Sequence, residues 1–364
     1  MIEVKDAKET KAGTDFVFGN PSFADHEQIT FCYDKATGLK AIIAIHDTTL
    51  GPALGGTRMW DYKSEAEALN DVLRLSRGMT YKAAISGLGL GGGKAVIFGD
   101  SKKDKTPDMF RKYGKFIESL NGKYITAEDV GTNTADMVYI REMTKHVTGL
   151  PENMGGGGDP SPVTAYGVFM GLKAAVKESF GSDDLKGKKV MVQGVGHVGE
   201  NLVRFVTEQG AKVYITDINQ EQLNATAKKY GAEIVAPDAV YDMDVDIYSP
   251  CALGATLNTE NIKRLRCAVV AGAANNQLAD ENVHGKMLSE KGILYAPDFL
   301  INAGGLINVY SELKGYDRKT AMDHTEQIYH TTLEIFKKAK AENITTISAA
   351  KKIAEERIMI ARTV

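Results

Sequence analysis

The sequence predicts an α/β protein of two domains separated by a cleft, and three observations carry that reading. The chain has 364 residues, more than one ordinary domain of roughly 150 residues. Its most breaker-rich stretch, PENMGGGGDPSP between Pro151 and Pro162, lies near the middle. Four successive glycines do not form a stable element, so a hinge or linker is expected there. From Lys188 onward the rhythm becomes strand–helix–strand, the pattern of a parallel sheet that binds ligands at the carboxyl ends of its strands.

Composition narrows the class. The chain is 43% hydrophobic and 25% charged, which excludes disorder as its main state. A net charge of −3 gives no electrostatic footprint for nucleic acid or a membrane surface. The pairs Lys102-Lys103 and Lys337-Lys338 read as solvated helix faces. Cys32, Cys251 and Cys267 are odd in number and form no CxxC, which argues against a disulfide framework and a zinc cluster; no metal is expected. The opening MIEVKDAKET lacks the apolar core of a signal peptide, and no run of about 20 apolar residues occurs. A soluble cytoplasmic enzyme or sensor is expected.

In the first ~150 residues, Leu39–His46 reads as a buried strand followed by a turn-rich GPALGG. A helix is expected from Ser64, with Ser64 and Glu67 as a capping box and Leu69, Val72, Leu75 and Met79 on its apolar face. Further on, Lys189–Gln193 is a strand. Val198–Glu208 is a helix with Val198, Leu202, Phe205 and Val206 on one face, ended by Gly210, and Lys212–Thr216 is the next strand. Short apolar runs at Val245–Tyr248, Ala268–Ala271 and Ile293–Tyr295 precede Gly-, Pro- or Asn-rich turns, and the last ~45 residues read as helical.

Two GxGxxG matches occur. The first, Gly87 to Gly92, runs into Lys94–Phe98, which is strand-like, so no helix N-terminus is available for a pyrophosphate. The second has the full context: a strand, then Gly194, Gly196 and Gly199 with His197 and Val198 between them, then a helix, and Asp217 at the end of the next strand. Such glycines allow the tight turn, the close approach of a pyrophosphate and close helix–strand packing. Helix N–H groups and the helix dipole favour phosphate, and Asp217 can accept both ribose hydroxyls. A carboxylate repels a 2′-phosphate, so NAD is expected over NADP. A Rossmann-type NAD-binding domain is therefore expected in the C-terminal half.

Substrate chemistry is then expected in the N-terminal half. Within MTYKAAISGLGLGGGK, Lys82 and Lys94 lie at opposite ends of a glycine-rich, almost uncharged passage. An apolar setting and a second cation both lower an ammonium pKa, which would make Lys94 usable as a base; surface lysines beside a loop are the commoner fate of lysine in general, but the apolar setting here favours a functional pair. In YITAEDVGT the acids Glu128 and Asp129 end an apolar run; an active-site rim and a solvated turn fit that segment equally.

The segments GPALGGTRMW, RGMTYKAAISGLGLGGGKAVI, GKYITAEDVGT, PSPVTAYGV, SPCALG, AGAANNQL and INAGG occur in this order. With them the chain resembles the amino-acid dehydrogenases of the glutamate/leucine/phenylalanine/valine superfamily, and within it the leucine-type branch. The resemblance implies reversible NAD-dependent oxidative deamination of an L-amino acid to a 2-oxo acid and ammonium. It implies that Lys82 holds the substrate α-carboxylate, that Lys94 activates water, and that Asp129 exchanges protons with the amino group. Asn276 matches a residue near nicotinamide and substrate, and Thr164 one that lines the nicotinamide. Gly199 stands where leucine-type members often have alanine.

Where glutamate-using members bind the side-chain carboxylate with lysine and serine, this chain has Leu54, next to Gly55, and Val309. Both are apolar, and a charged side chain would be desolvated there without a partner. Ala127 narrows the pocket relative to phenylalanine-type members, Leu306 resembles theirs, and Met79 fits either type. Branched-chain substrates are expected, leucine with valine and isoleucine, with phenylalanine or valine as alternative preferences. A catalytically inactive NAD-binding sensor would not need the set Lys82, Lys94 and Asp129. An enzyme of 2-hydroxy acids would need a His or Arg beside the cofactor, for which no motif speaks. The expected domains are 1–150 for substrate and oligomerisation, joined by the C-terminal helix of about 341–364, and 151–340 for NAD. A homo-oligomer, octamer or dimer, is expected.

Overall fold

The computed structural model describes residues 16–363, so the charged opening MIEVKDAKET lies outside the described residues. The chain divides into two compact units. Residues up to Thr80 with Gly89–Leu150 form the first, and Tyr81–Leu88 with the residues from Pro151 form the second.

The first unit holds a five-stranded mixed sheet. Its strands are β1 (Gln28–Asp34), β2 (Leu39–Asp47), β3 (Ala53–Trp60), β4 (Gly91–Phe98) and β5 (Tyr124–Glu128), in the order β1-β2-β4-β3-β5. β1, β2 and β4 pair antiparallel, whereas β3 runs parallel to both β4 and β5. Helix α1 (Glu65–Ile85) covers one face with Leu69, Val72 and Leu73 against Ile42, Ala44 and Val96. Helices α2 (Pro107–Glu118) and α3 (Thr134–Arg141) supply Phe110, Tyr113, Met137 and Ile140 to the core on the other face.

Three local readings differ from this structure. GPALGG is no turn-rich connection, because Ala53 onward forms β3, a buried strand between two others. Its glycines are there for close packing: a Cβ on Gly55 would lie 1.7 Å from the Gly93 carbonyl oxygen. On α1 the buried row is Ala68, Leu69, Val72, Leu73, Ser76 and Thr80, and Leu75 and Met79 fall at its margin. The capping box is half present: Ser64 Oγ accepts from Glu67 N at 3.1 Å, but the Glu67 carboxylate reaches Lys63 N instead of Ser64 N.

The second unit holds a six-stranded parallel sheet. Its strands are β6 (Lys189–Gln193), β7 (Lys212–Thr216), β8 (Glu233–Ile234), β9 (Ile247–Pro250), β10 (Val269–Val270) and β11 (Leu294–Tyr295). Their order, β11-β10-β9-β6-β7-β8, reverses between β6 and β9, the arrangement of a Rossmann fold. Helices α4 (Ser161–Phe180), α5 (His197–Glu208), α6 (Gln220–Tyr230), α7 (Thr259–Arg264), α8 (Glu281–Glu290), α9 (Asp298–Ile301), α10 (Gly304–Glu312), α11 (Arg318–Glu342) and α12 (Thr346–Arg362) complete it. The buried face of α5 is Leu202, Val203 and Val206, while Phe205 stacks on Phe169 of α4.

Residues 341–364, expected with the first domain, are grouped with the second unit. Helix α12 is tied there to the end of α1: Arg357 donates to the carbonyls of Ala84 and Ile85, and Tyr81 donates to Glu355. The tetraglycine stretch is anchored in part, with Gly157 N donating to the Glu312 carboxylate at 2.9 Å.

Candidate active site

Two groups of residues are built by the two units, and each is described by itself. In the first unit, Lys94 stands on β4 between Gly93 and Ala95. Triple glycine at 91–93 lets β4 lie against α1 on one face and Tyr124 on the other: a Cβ on Gly92 would meet Thr80 at 2.1 Å, and one on Gly93 would meet Tyr124 at 2.7 Å. The first glycine cluster is thus a packing device within a sheet. Gly87 closes α1 with φ +68.

Lys94 pairs across the sheet with Ala44 on β2. On its other side Gly56, one step from the Thr57–Ala95 pair, is followed by Ala127 on β5. Small residues therefore flank the lysine on both sides. Gly56 leaves the space that Asp129 uses, since a Cβ there would lie 2.9 Å from the Asp129 Cβ. The turn after β5 is clamped to β3, with Met59 N donating to Val130 O and Thr132 Oγ1 donating to Thr57 O.

Lys94 is 5% exposed, and its ammonium donates to Oδ1 of Asp129 at 2.7 Å. Burial pushes the Lys94 ammonium below its ordinary range, and Asp129 offsets this only in part. For Asp129, burial opposes ionisation, but Lys94 and Arg58 outweigh it and hold the carboxyl below its usual range. Asp129 is therefore an ion-paired group; a freely solvated turn acid does not describe it. Of the residues of this unit expected on the substrate side, Leu54 and Ala127 are buried and Met79 is half-buried.

The sequence reading missed Arg58. Its Nε donates to Asp129 Oδ2 at 2.9 Å and its Nη1 to Asp71 of α1 at 2.8 Å. A signal existed: Arg58 is the one charged residue in the otherwise uncharged strand ALGGTRMW.

In the second unit the turn after β6 has the shape of a dinucleotide cradle. Gly194 has φ +100, and a Cβ on it would meet Ala252 at 2.7 Å. A Cβ on Gly199 would lie 2.0 Å from the Gly194 carbonyl oxygen, so that glycine lets α5 press onto the strand end. Gly196 caps α5 with no side-chain hydrogen bond, and a Cβ there would meet nothing within 4 Å. That open space lies where phosphate oxygens would meet the first N–H groups of α5, including those of His197 and Val198. Asp217, after β7, accepts from Val195 N at 2.7 Å and from Asn219 N at 2.8 Å. These bonds fix the carboxylate and leave lone pairs for hydroxyl donors. The residues present fit a dinucleotide.

Asn276 is exposed in the loop after β10, with φ +51. Its neighbours hold that conformation: Gln277 N donates to the buried Asp298 carboxylate, Asn302 donates to Asn275, and the Asn276 carbonyl accepts from Ala255 N. Thr164 on α4 donates to Pro160 O, and a Cβ on Gly305 would lie 2.9 Å from its Oγ1. On α10, Leu306 is buried and Val309 half-buried. Lys82 is half-buried in the last turn of α1.

Among the described residues no helix is long and apolar enough to cross a membrane, and no cluster of His, Cys, Asp and Glu is arranged to hold a metal ion.

Comparison with known proteins agrees with this two-sheet α/β fold. Residues 26–146 match the family model described as Glu/Leu/Phe/Val dehydrogenase, dimerisation domain, and residues 155–219 and 214–363 match Glutamate/Leucine/Phenylalanine/Valine dehydrogenase. A leucine dehydrogenase of Thermoactinomyces intermedius is 59% identical over 93% of this chain and 92% of its own length. One of Geobacillus stearothermophilus is 57% identical over 92% and 91%. The crystal structure of L-tryptophan dehydrogenase from Nostoc punctiforme superposes with a TM-score of 0.85 at 48% identity, covering 93% of this chain and 98% of that one. The chain belongs to the Glu/Leu/Phe/Val family of amino-acid dehydrogenases, enzymes that use a nicotinamide cofactor.

Proposed function

We propose that this protein catalyses the reversible NAD-dependent oxidative deamination of branched-chain L-amino acids. L-amino acid, water and NAD⁺ give 2-oxo acid, ammonium, NADH and a proton, with leucine preferred and valine and isoleucine accepted. The observation that carries the chemistry is the buried Lys94 ammonium on Asp129, 2.7 Å apart. A nicotinamide, when bound, supplies the two-electron acceptor.

Lys94 acts in its neutral form, which burial favours, to take a proton from the attacking water and return it to the carbinolamine. Asp129 exchanges protons with the substrate amino group. Lys82 pairs with the α-carboxylate. In the second unit Gly194, Gly196 and Gly199 receive the pyrophosphate, Asp217 takes the ribose hydroxyls and disfavours a 2′-phosphate, and Thr164 and Asn276 flank the nicotinamide. Leu54, Met79, Ala127, Leu306 and Val309 favour an aliphatic side chain over a charged one. The chain works as a homo-oligomer, a dimer or an octamer.

A second reading, an aromatic substrate, is favoured by Leu306 and by the similarity to a tryptophan dehydrogenase. NADH appearance at 340 nm with leucine, valine, isoleucine, phenylalanine, tryptophan and glutamate in parallel separates these readings. Leucine is expected to give the highest kcat/KM; tryptophan or phenylalanine in first place favours the second reading, and glutamate in first place overturns both.

A further inference from the structure

Asp129 has two carboxylate oxygens, and each is taken by a different cation. Oδ1 accepts from Lys94 Nζ at 2.7 Å and Oδ2 from Arg58 Nε at 2.9 Å. Arg58 lies on β3, the strand between β4, which carries Lys94, and β5, which leads into Asp129. It is itself held from α1, where Asp71 Oδ2 accepts from Arg58 Nη1 at 2.8 Å. The same Asp71 oxygen accepts from the Tyr62 hydroxyl at 2.8 Å, and the other accepts from Arg74 at 2.9 Å. Arg58, Asp129 and Asp71 keep only 23%, 22% and 16% of their side-chain exposure, so these pairs are poorly screened by water.

A carboxylate gripped at one oxygen can still turn about its Cβ–Cγ bond; gripped at both, by cations on two adjacent strands, it cannot. We propose that Arg58 is the positioning residue of the Lys94–Asp129 pair: it fixes Oδ2 so that Oδ1 alone exchanges protons, and its charge sets the pH range in which the pair works. This rests on the assignment of Lys94 and Asp129 as the proton-transferring groups.

The charged and titratable groups around the pair in this unit are Arg58 from β3, Asp71 and Arg74 from α1, Tyr62 from the segment between them, and Tyr124 from β5, which burial keeps protonated. Burial first, and Asp71 second, keep the Tyr62 hydroxyl protonated, so it acts as a neutral donor. The Arg58 charge lowers both the Lys94 ammonium and the Asp129 carboxyl, while Asp71 raises Lys94. Removing the Arg58 charge therefore moves the rising limb of activity, where Lys94 becomes neutral, to higher pH. Removing the Asp71 charge moves it to lower pH.

The test is kcat/KM for leucine against pH at saturating NAD in Arg58→Gln, Arg58→Lys and Asp71→Asn, with circular dichroism and NAD titration of each variant. Arg58→Gln is expected to lose about tenfold or more in kcat at neutral pH, with a smaller change in KM, and to regain much of it at higher pH. Arg58→Lys is expected to keep the wild-type limb with part of its kcat. If Arg58→Gln does not fold, Asp71→Asn carries the test, since Arg58 and Asp129 stay in place. A limb unmoved in Arg58→Gln, or in Asp71→Asn where that variant carries the test, with kcat lowered uniformly, would make Arg58 a structural bridge and overturn the proposal. Full activity in Asp129→Asn would instead refute the assignment on which the proposal rests.

Discussion

The ammonium of Lys94 lies 2.7 Å from Oδ1 of Asp129, 35 positions away in the chain, with the lysine almost wholly removed from solvent. A buried cation without a partner would cost several kcal/mol, so the pair is obligatory for a charged lysine at this place. Burial favours the neutral amine, and Asp129 is the adjacent acceptor. Lys94→Ala should therefore lower kcat by about 10²–10⁴-fold while NAD binding, followed by fluorescence titration, stays within a factor of two or so. Full turnover in that variant would remove Lys94 from its role.

The cradle glycines separate binding from folding. Gly196 has open space around the position of a Cβ, whereas a Cβ on Gly199 would collide with the Gly194 carbonyl. Gly196→Ala should keep the wild-type Tm and weaken NAD binding by roughly tenfold, because the methyl occupies the approach of the pyrophosphate. Gly199→Ala should lower Tm as well. Calorimetry of NAD binding together with thermal melts checks both, and unchanged affinity in Gly196→Ala counts against the cradle.

The sheet of the first unit sets a contrast in stability. Gly55→Ala drives a methyl into the Gly93 carbonyl and should cost about 3 kcal/mol or more. Gly78, within α1, has nothing within 4 Å of a Cβ, so Gly78→Ala should stabilise by about 0.5–1 kcal/mol. Urea midpoints of the two variants should move in opposite directions.

Stability should also fall on acidification through His46. Its Nδ1 is 2.8 Å from Thr80 Oγ1, its ring packs edge-on against His26, and burial lowers its pKa to about 4 from 6.5. The folded state then binds fewer protons than the unfolded chain between these values. The stabilisation is complete above about pH 6.5 and is lost as pH falls toward 4, a swing of up to about 3 kcal/mol. His26, lowered first by burial, acts in the same direction. Denaturant midpoints at pH 7.5 and 5 should differ less in His46→Gln than in the wild type; an equal difference assigns the acid sensitivity elsewhere.

The three thiols should be silent in the native state. Burial pushes Cys32, Cys251 and Cys267 each up to about 12, so the thiolate is scarce at neutral pH. A chromogenic disulfide reagent should label almost none at pH 7.5 and all three in denaturant, and rapid labelling of the native enzyme would show that one of these sites opens.

What was legible in the sequence was local. Strands Lys189–Gln193 and Lys212–Thr216 were readable residue for residue, since alternation, a terminating glycine and an intervening amphipathic helix all lie within about 30 residues. The second glycine motif carried its own context, and the first betrayed itself by the strand that follows it. GPALGG was misread because glycine signals a turn by its own propensity, whereas here it answers the close approach of a neighbouring strand. Whether Asp129 is ion-paired or solvated is open in its own segment, and Arg58 attracts no role there at all. Both were decided by the order β4-β3-β5, which brings side chains from three distant segments to one face of the sheet. Short-range pattern encodes an element because neighbouring residues share its geometry; an ion network belongs to the tertiary structure, because its members meet only after the sheet has closed.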